Sequence, residues 1–108
     1  MKLLYAILIC AAFPVAAQDV DQQMKSMQNA VSLGTVLASE GPCALALDQA
    51  GIEAWITANV DKSDLSFAST LSMMTAGQDM QITQMTPSAK IAHCATVKMT
   101  AGSMGMIK

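Results

Sequence analysis

Cysteine is the residue type in this sequence best suited to covalent chemistry. The chain has three cysteines, and Cys10 lies in an apolar N-terminal run, which leaves Cys43 and Cys94 for the rest of the protein. In a small protein that leaves the cytosol, two cysteines predict a disulfide. A redox-active pair would more typically have Cys-x-x-Cys spacing, which this sequence does not contain. A Cys43–Cys94 bond would close a loop of about 52 residues, worth roughly 4 kcal/mol in the chain-entropy estimate.

Methionine is the most frequent residue that could hold a metal, with 10 in the chain. Met24-x-x-Met27 and Met104-Gly-Met106 have spacings seen in exported copper-handling proteins, and His93 is the one candidate nitrogen donor. Thioether sulfur is a soft donor suited to Cu(I). Methionines also fill cores that lack aromatic residues or line adaptable binding grooves. We expect this second role and no cofactor, with Cu(I) binding or copper resistance as the alternative.

Catalytic constellations are not recognisable in the sequence. It has no Gly-x-Ser-x-Gly motif, no phosphate-binding loop and no His-Glu-x-x-His, and its carboxylates are spread singly along the chain. His93 and Cys94 are adjacent, so on a helix they point about 100° apart. The six basic residues are all lysines, against eight acids, for a net charge of −2. We therefore expect a protein that is not an enzyme and does not bind nucleic acid.

The N-terminal segment has the pattern of a secretory signal peptide. Met1 and Lys2 precede the apolar run Leu3–Phe13, and small residues follow up to Ala17. This pattern predicts cleavage between Ala17 and Gln18. The apolar run would span about 16 Å as a helix, roughly half of a bilayer core, so we expect no membrane span. The short leader is typical of bacteria, which predicts a periplasmic or secreted protein.

The remaining residues, 18–108, predict a small all-α domain of four helices joined by one disulfide. Helix one is predicted from Asp19 to about Ser39, because apolar or small residues recur every three or four positions. These are Val20, Met24, Met27, Val31, Gly34 and Ala38. Gly34 on this stripe indicates a close approach of another helix. Helix two is predicted from Pro42 to about Asn59, and because it is apolar over most of its circumference we expect it to be central.

The second half of the chain predicts two further helices. Helix three follows a turn and cap cluster at Asp61–Asp64 and ends at Gly77, after which Gln78–Met85 is predicted to be a loop. Helix four begins at Thr86-Pro87-Ser88, with threonine as cap and proline in the first turn. A mobile tail is predicted from about Gly102. The disulfide would then join the start of helix two to the middle of helix four.

The functional prediction is a non-enzymatic binding module. Helix two is apolar all round and methionine is frequent, so a chain this short cannot easily bury every apolar side chain. We predict a partner surface that includes Met24, Met27, Val31 and Trp55. The partner would be a protein or peptide of the bacterial envelope. A second copy of the chain, bound through helix one, is another possible partner. In plan, a small helical periplasmic protein with one long-range disulfide resembles acid-stress chaperones, which implies a chaperone-like role; the resemblance is one of architecture and involves no shared motif.

Overall fold

Four helices make up the computed structural model of this protein, which describes the backbone of Lys2–Lys108 and the side chains from Val20 onwards. The helices are α1 (Lys2–Ser39), α2 (Gln49–Asn59), α3 (Phe67–Thr83) and α4 (Pro87–Ser103). Within these described residues the only β pairing is an isolated bridge between Leu47 and Ile107. The predicted all-α, four-helix class is confirmed. The side chains of the predicted signal peptide, residues 1–17, lie outside the described ones, so the signal peptide stays a prediction.

The first helix forms the centre of the fold, a position that the sequence analysis assigns to helix two. It ends at Ser39, as predicted, but begins at Lys2 and not at Asp19. Ala30, Leu33 and Val36 on α1 are fully buried and make up much of the hydrophobic core. α3 packs against α1 more extensively than the other helices do. A Cβ atom on Gly34 would lie only 3.2 Å from the Thr75 backbone nitrogen, so the absence of a side chain permits this close packing. The predicted close approach at Gly34 is confirmed.

The second helix is shorter and less buried than the sequence predicts. It begins at Gln49 and not at Pro42, and residues 40–44 form turns. Ala44 has a φ of 51°, a left-handed conformation that interrupts a helix. None of the residues of α2 is buried; Ile52 and Trp55 contact the core from one side only. The prediction of a central second helix is therefore wrong, because α1 occupies that position.

The third helix extends beyond its predicted end. It continues through Gly77 to Thr83, across most of the segment predicted to be a loop. A glycine inside a helix costs about 1 kcal/mol relative to alanine. Burial of Ile82 in the last turn and of Phe67 in the first offsets this cost. The assignment of residues 78–85 to a loop is therefore wrong.

The fourth helix begins as predicted. The Thr86 hydroxyl oxygen accepts a hydrogen bond from the Ala89 backbone nitrogen at 3.2 Å, and proline occupies the first turn. The chain after α4 differs from the mobile tail that the sequence predicts. Met106 is fully buried, and its carbonyl oxygen accepts a hydrogen bond from the Asp48 backbone nitrogen at 2.6 Å. The C-terminal segment therefore completes the core beside α2.

Candidate functional site

The predicted disulfide between Cys43 and Cys94 is present, with an S–S distance of 2.03 Å and a Cα–Cα distance of 5.3 Å. Cys94 lies in α4, as predicted. Cys43 lies in the turn between α1 and α2, because α2 begins six residues later. The bond therefore joins this turn to α4, and the predicted link between α2 and α4 is wrong in that detail. Both cysteines are half-buried.

A serine–histidine pair lies beside the disulfide and links α1 to α4. Ser39 is fully buried, and its hydroxyl donates to the Thr35 carbonyl oxygen at 2.6 Å. The same hydroxyl oxygen is 2.9 Å from His93 Nε2. Since the one hydroxyl hydrogen is donated to Thr35, His93 donates from Nε2 to the Ser39 oxygen. A serine buried this completely cannot meet a substrate, so the pair has a structural role.

This pair escaped the sequence analysis, which considered His93 only as a candidate metal ligand or a surface residue. Ser39 and His93 are 54 positions apart in the chain, and neither lies in a recognisable motif. Ser39 is the last residue of α1, where a serine would ordinarily be expected to face water. In the structure His93 of α4 and the turn that follows α1 both contact Ser39.

The structure distributes the five candidate metal ligands over different environments. Met106 is buried in the core, and Met104 packs against that core. Met24 and Met27 lie on the exposed side of α1, with 57% and 53% of their surface accessible. His93 is hydrogen-bonded to Ser39. Among the side chains that the structure describes, no three or more His, Cys, Asp or Glu residues form a group that could hold a metal ion.

The predicted partner surface is divided in the same way. Met24, Met27 and Val31 are exposed, and so is Val20, which the prediction did not include. Their spacing of four, three and four places these four residues along one side of α1. We call these four residues the α1 stripe. Trp55, the fourth residue predicted for this surface, is half-buried and packs against the hydrophobic core. It therefore belongs to the contact between α2 and the core.

Three further methionines are exposed on the other helices. Met73 and Met80 on α3 have 73% and 65% of their surface accessible, and Met99 on α4 has 70%. We call them the α3–α4 methionines. Met73 and Met80 are seven residues apart, which corresponds to two helical turns and places them on one side of α3. The sequence analysis missed these residues because the spacing of methionines does not reveal which side of a helix another helix covers.

A polar cleft of about 650 Å³ lies between α1 and the loop joining α2 to α3. The hydroxyl of Ser26 on α1 donates to Asp64 in that loop, and this bond, followed by one from Ser66, lowers the pKa of Asp64. The backbone N–H of Ser63, with its hydroxyl, lowers the pKa of Asp61. The carboxylates are thus bonded to serines of the same chain. The bond from Ser26 joins the loop to α1, and the other bonds lie within the loop.

Comparison with known proteins returned no relative for this chain. No protein-family model matches it, and no curated protein or solved structure matches it. Among the described residues, no helix combines the length and the apolar composition that crossing a bilayer requires. The α1 stripe and the α3–α4 methionines are therefore interpreted from their own geometry.

Proposed function

We propose that this protein is a small exported helical module, without catalytic activity, that binds a protein or peptide partner in the bacterial envelope. The observation that carries the proposal is the exposure of nine large apolar side chains among the described residues, five of which are methionines. Single exposed apolar residues are common on protein surfaces. Rows of them along helix faces are more typical of binding surfaces.

Methionine suits a surface that meets partners of varied shape. Its side chain is unbranched and polarizable, so it adapts to different apolar groups at little steric cost. Promiscuous binding proteins use such flexible surfaces to accommodate different sequences. The α3–α4 methionines have this chemistry, with Ile91 and Leu65 as further exposed apolar residues. A chaperone-like role, in which unfolded or partly folded chains bind transiently, fits this chemistry.

The disulfide favours a location outside the cytosol. Disulfides form and persist in oxidising compartments such as the periplasm. Cys43–Cys94 secures the turn before α2 to α4, two elements that bury few side chains of their own. The bond would hold α4 in place while its apolar residues meet a partner.

Binding of an unfolded, reduced model protein by the purified protein tests this proposal. The variant Met73→Glu/Met80→Glu places charges on the exposed side of α3 and should weaken binding at least tenfold. Gln81→Glu is the matched control, because it adds a charge at an exposed position next to Met80 without removing an apolar side chain. Equal affinity of all three proteins, or no binding by the wild-type protein, would contradict the proposal.

A further inference from the structure

The α1 stripe is the exposed part of a longer apolar row on α1. The same spacing continues to Gly34 and Ala38, but α3 covers α1 there, and both residues are buried. Val20 to Val31 remains exposed, a length of about 16 Å along the helix. The stripe faces away from Leu33, which points into the core. No other described element buries it, although Met27 borders the polar cleft beside the loop that joins α2 to α3.

The stripe has nearly the same pattern in both directions. Read from either end, it has a valine, then a methionine four residues on, then the second methionine and the second valine. If a second α1 helix runs antiparallel to the first, with the crossing point between Lys25 and Ser26, Met24 of one copy lies opposite Met27 of the other. The two valines then lie opposite each other as well. A surface that matches itself after a twofold rotation is what a symmetric dimer requires.

The polar residues beside the stripe are compatible with this arrangement. Gln23 borders the stripe on one side and Gln28 on the other, and both side chains are exposed and uncharged. Asp21 lies about a quarter turn from the stripe, and the Asp21 residues of the two copies are offset by about 14 Å along the helix pair, so the carboxylates do not meet. Lys25 and Ser26 lie on the outer sides of the helix pair. No charge therefore meets a like charge across the contact, which would otherwise oppose association.

We infer that the α1 stripe is the contact surface of an antiparallel homodimer. This deepens the proposed function, on which it rests, by assigning the methionines of the α1 stripe to a second copy of the chain. The α3–α4 methionines remain free for other partners in the dimer. A contact one helix wide and about 16 Å long is at the small end of specific interfaces, so the dimer is weak and depends on concentration.

Sedimentation equilibrium of the protein as recovered from the cell tests the dimer. The wild-type protein should associate in the micromolar to millimolar range, and Met27→Glu should lower the association constant at least tenfold. Met99→Glu is the matched control, since it adds the same charge to an exposed methionine on α4, and it should leave association unchanged. A wild-type protein that is monomeric up to ~1 mM, or equal effects of the two variants, would overturn the inference.

Cross-linking tests the antiparallel direction. The variants Met24→Cys and Met27→Cys are mixed in equal amounts and treated with a short bis-maleimide. Antiparallel pairing places position 24 of one copy beside position 27 of the other, so the mixed product should form faster than either variant reacts with itself. Faster self-reaction of Met24→Cys would indicate a parallel pair and overturn the proposed geometry.

The binding assay with unfolded protein separates failure of the dimer from failure of the proposed function. Met27→Glu should keep its affinity for unfolded protein, because the α3–α4 methionines are unchanged. A monomeric protein that still binds unfolded chains would contradict only the dimer. A dimer that binds no unfolded chain would contradict only the proposed function.

Discussion

Removal of the disulfide should cost this protein a large share of its stability. The variant Cys43→Ala/Cys94→Ala releases a constraint between residues separated by 51 positions. For a loop of this size the chain-entropy model gives about 4 kcal/mol at 25 °C. Because small domains have a total stability of about 5–15 kcal/mol, the variant should be markedly less stable.

The structure indicates why little else compensates for this loss. In α4 only Val97 and Ala101 are buried, and no residue of α2 is. The hydrogen bond between Ser39 and His93 links the end of α1 to α4. A neutral hydrogen bond contributes about 1 kcal/mol, which is much less than the disulfide. Without the disulfide, α4 and the turn at residues 40–44 should separate more readily from α1.

Urea unfolding followed by circular dichroism measures this effect. For a domain of this size the free energy of unfolding falls by about 1–2 kcal/mol per M urea. A loss of about 4 kcal/mol should therefore lower the unfolding midpoint by roughly 2–4 M. Wild-type protein with its disulfide reduced is the control and should unfold at the same midpoint as the double variant. A loss below about 1 kcal/mol, with an unchanged urea dependence, would refute the chain-entropy argument.

Further predictions concern close packing, charge and the C-terminus. Gly51→Ala should destabilise the fold by about 1–3 kcal/mol in urea unfolding, because a Cβ there would overlap the Gly105 carbonyl oxygen and lie 3.1 Å from the Met106 Cα. Met106→Ala removes a fully buried side chain and should cost about 2–5 kcal/mol in the same assay, whereas a mobile terminus would show no change. Titration with Cu(I) should leave the Met106 methyl signal unmoved in NMR spectra, because that side chain is packed in the core; a shift at one equivalent would favour the copper alternative. Ser26→Ala should raise the pKa of Asp64 in a carbon NMR titration, since the Ser26 hydroxyl is the largest cause of its lowering. The lowered pKa stabilises the fold above the unfolded value of about 3.9, and this contribution is lost as the pH falls through the folded value, so the variant should lose less stability on acidification.

Local signals in the sequence predict part of this fold correctly. The start of α4 is marked by Thr86 as cap and by proline in the first turn, and both act there as expected. The close approach at Gly34 follows from its place on an apolar row. The Cys43–Cys94 bond follows from the number of cysteines alone. Each of these features follows from residue type, local spacing or the number of cysteines, and little from the surrounding fold.

The incorrect predictions concern features that packing decides. Pro42 suits a first helical turn, but the left-handed backbone at Ala44 ends any helix that begins there. Glycine often marks the end of a helix, yet α3 continues past Gly77 to Thr83. Ile82, in this continuation, is buried. Small residues near the C-terminus suggest mobility, whereas Met106 fills the core. At Gly77 the local preference is about 1 kcal/mol, which burial of one large apolar side chain can outweigh.

The exposure of the α1 stripe is a consequence of how little of α1 the other helices cover. Leu33 and Val36 fill the core from one side of α1, so the opposite side can be buried only by a second layer. α3 supplies that layer beside Gly34 and Ala38, toward the end of α1, and the loop before α3 contacts α1 through polar residues such as Ser26. The apolar row nevertheless continues toward the N-terminus. None of the described residues buries this part of the row, and its reversible pattern favours a second copy of the same helix.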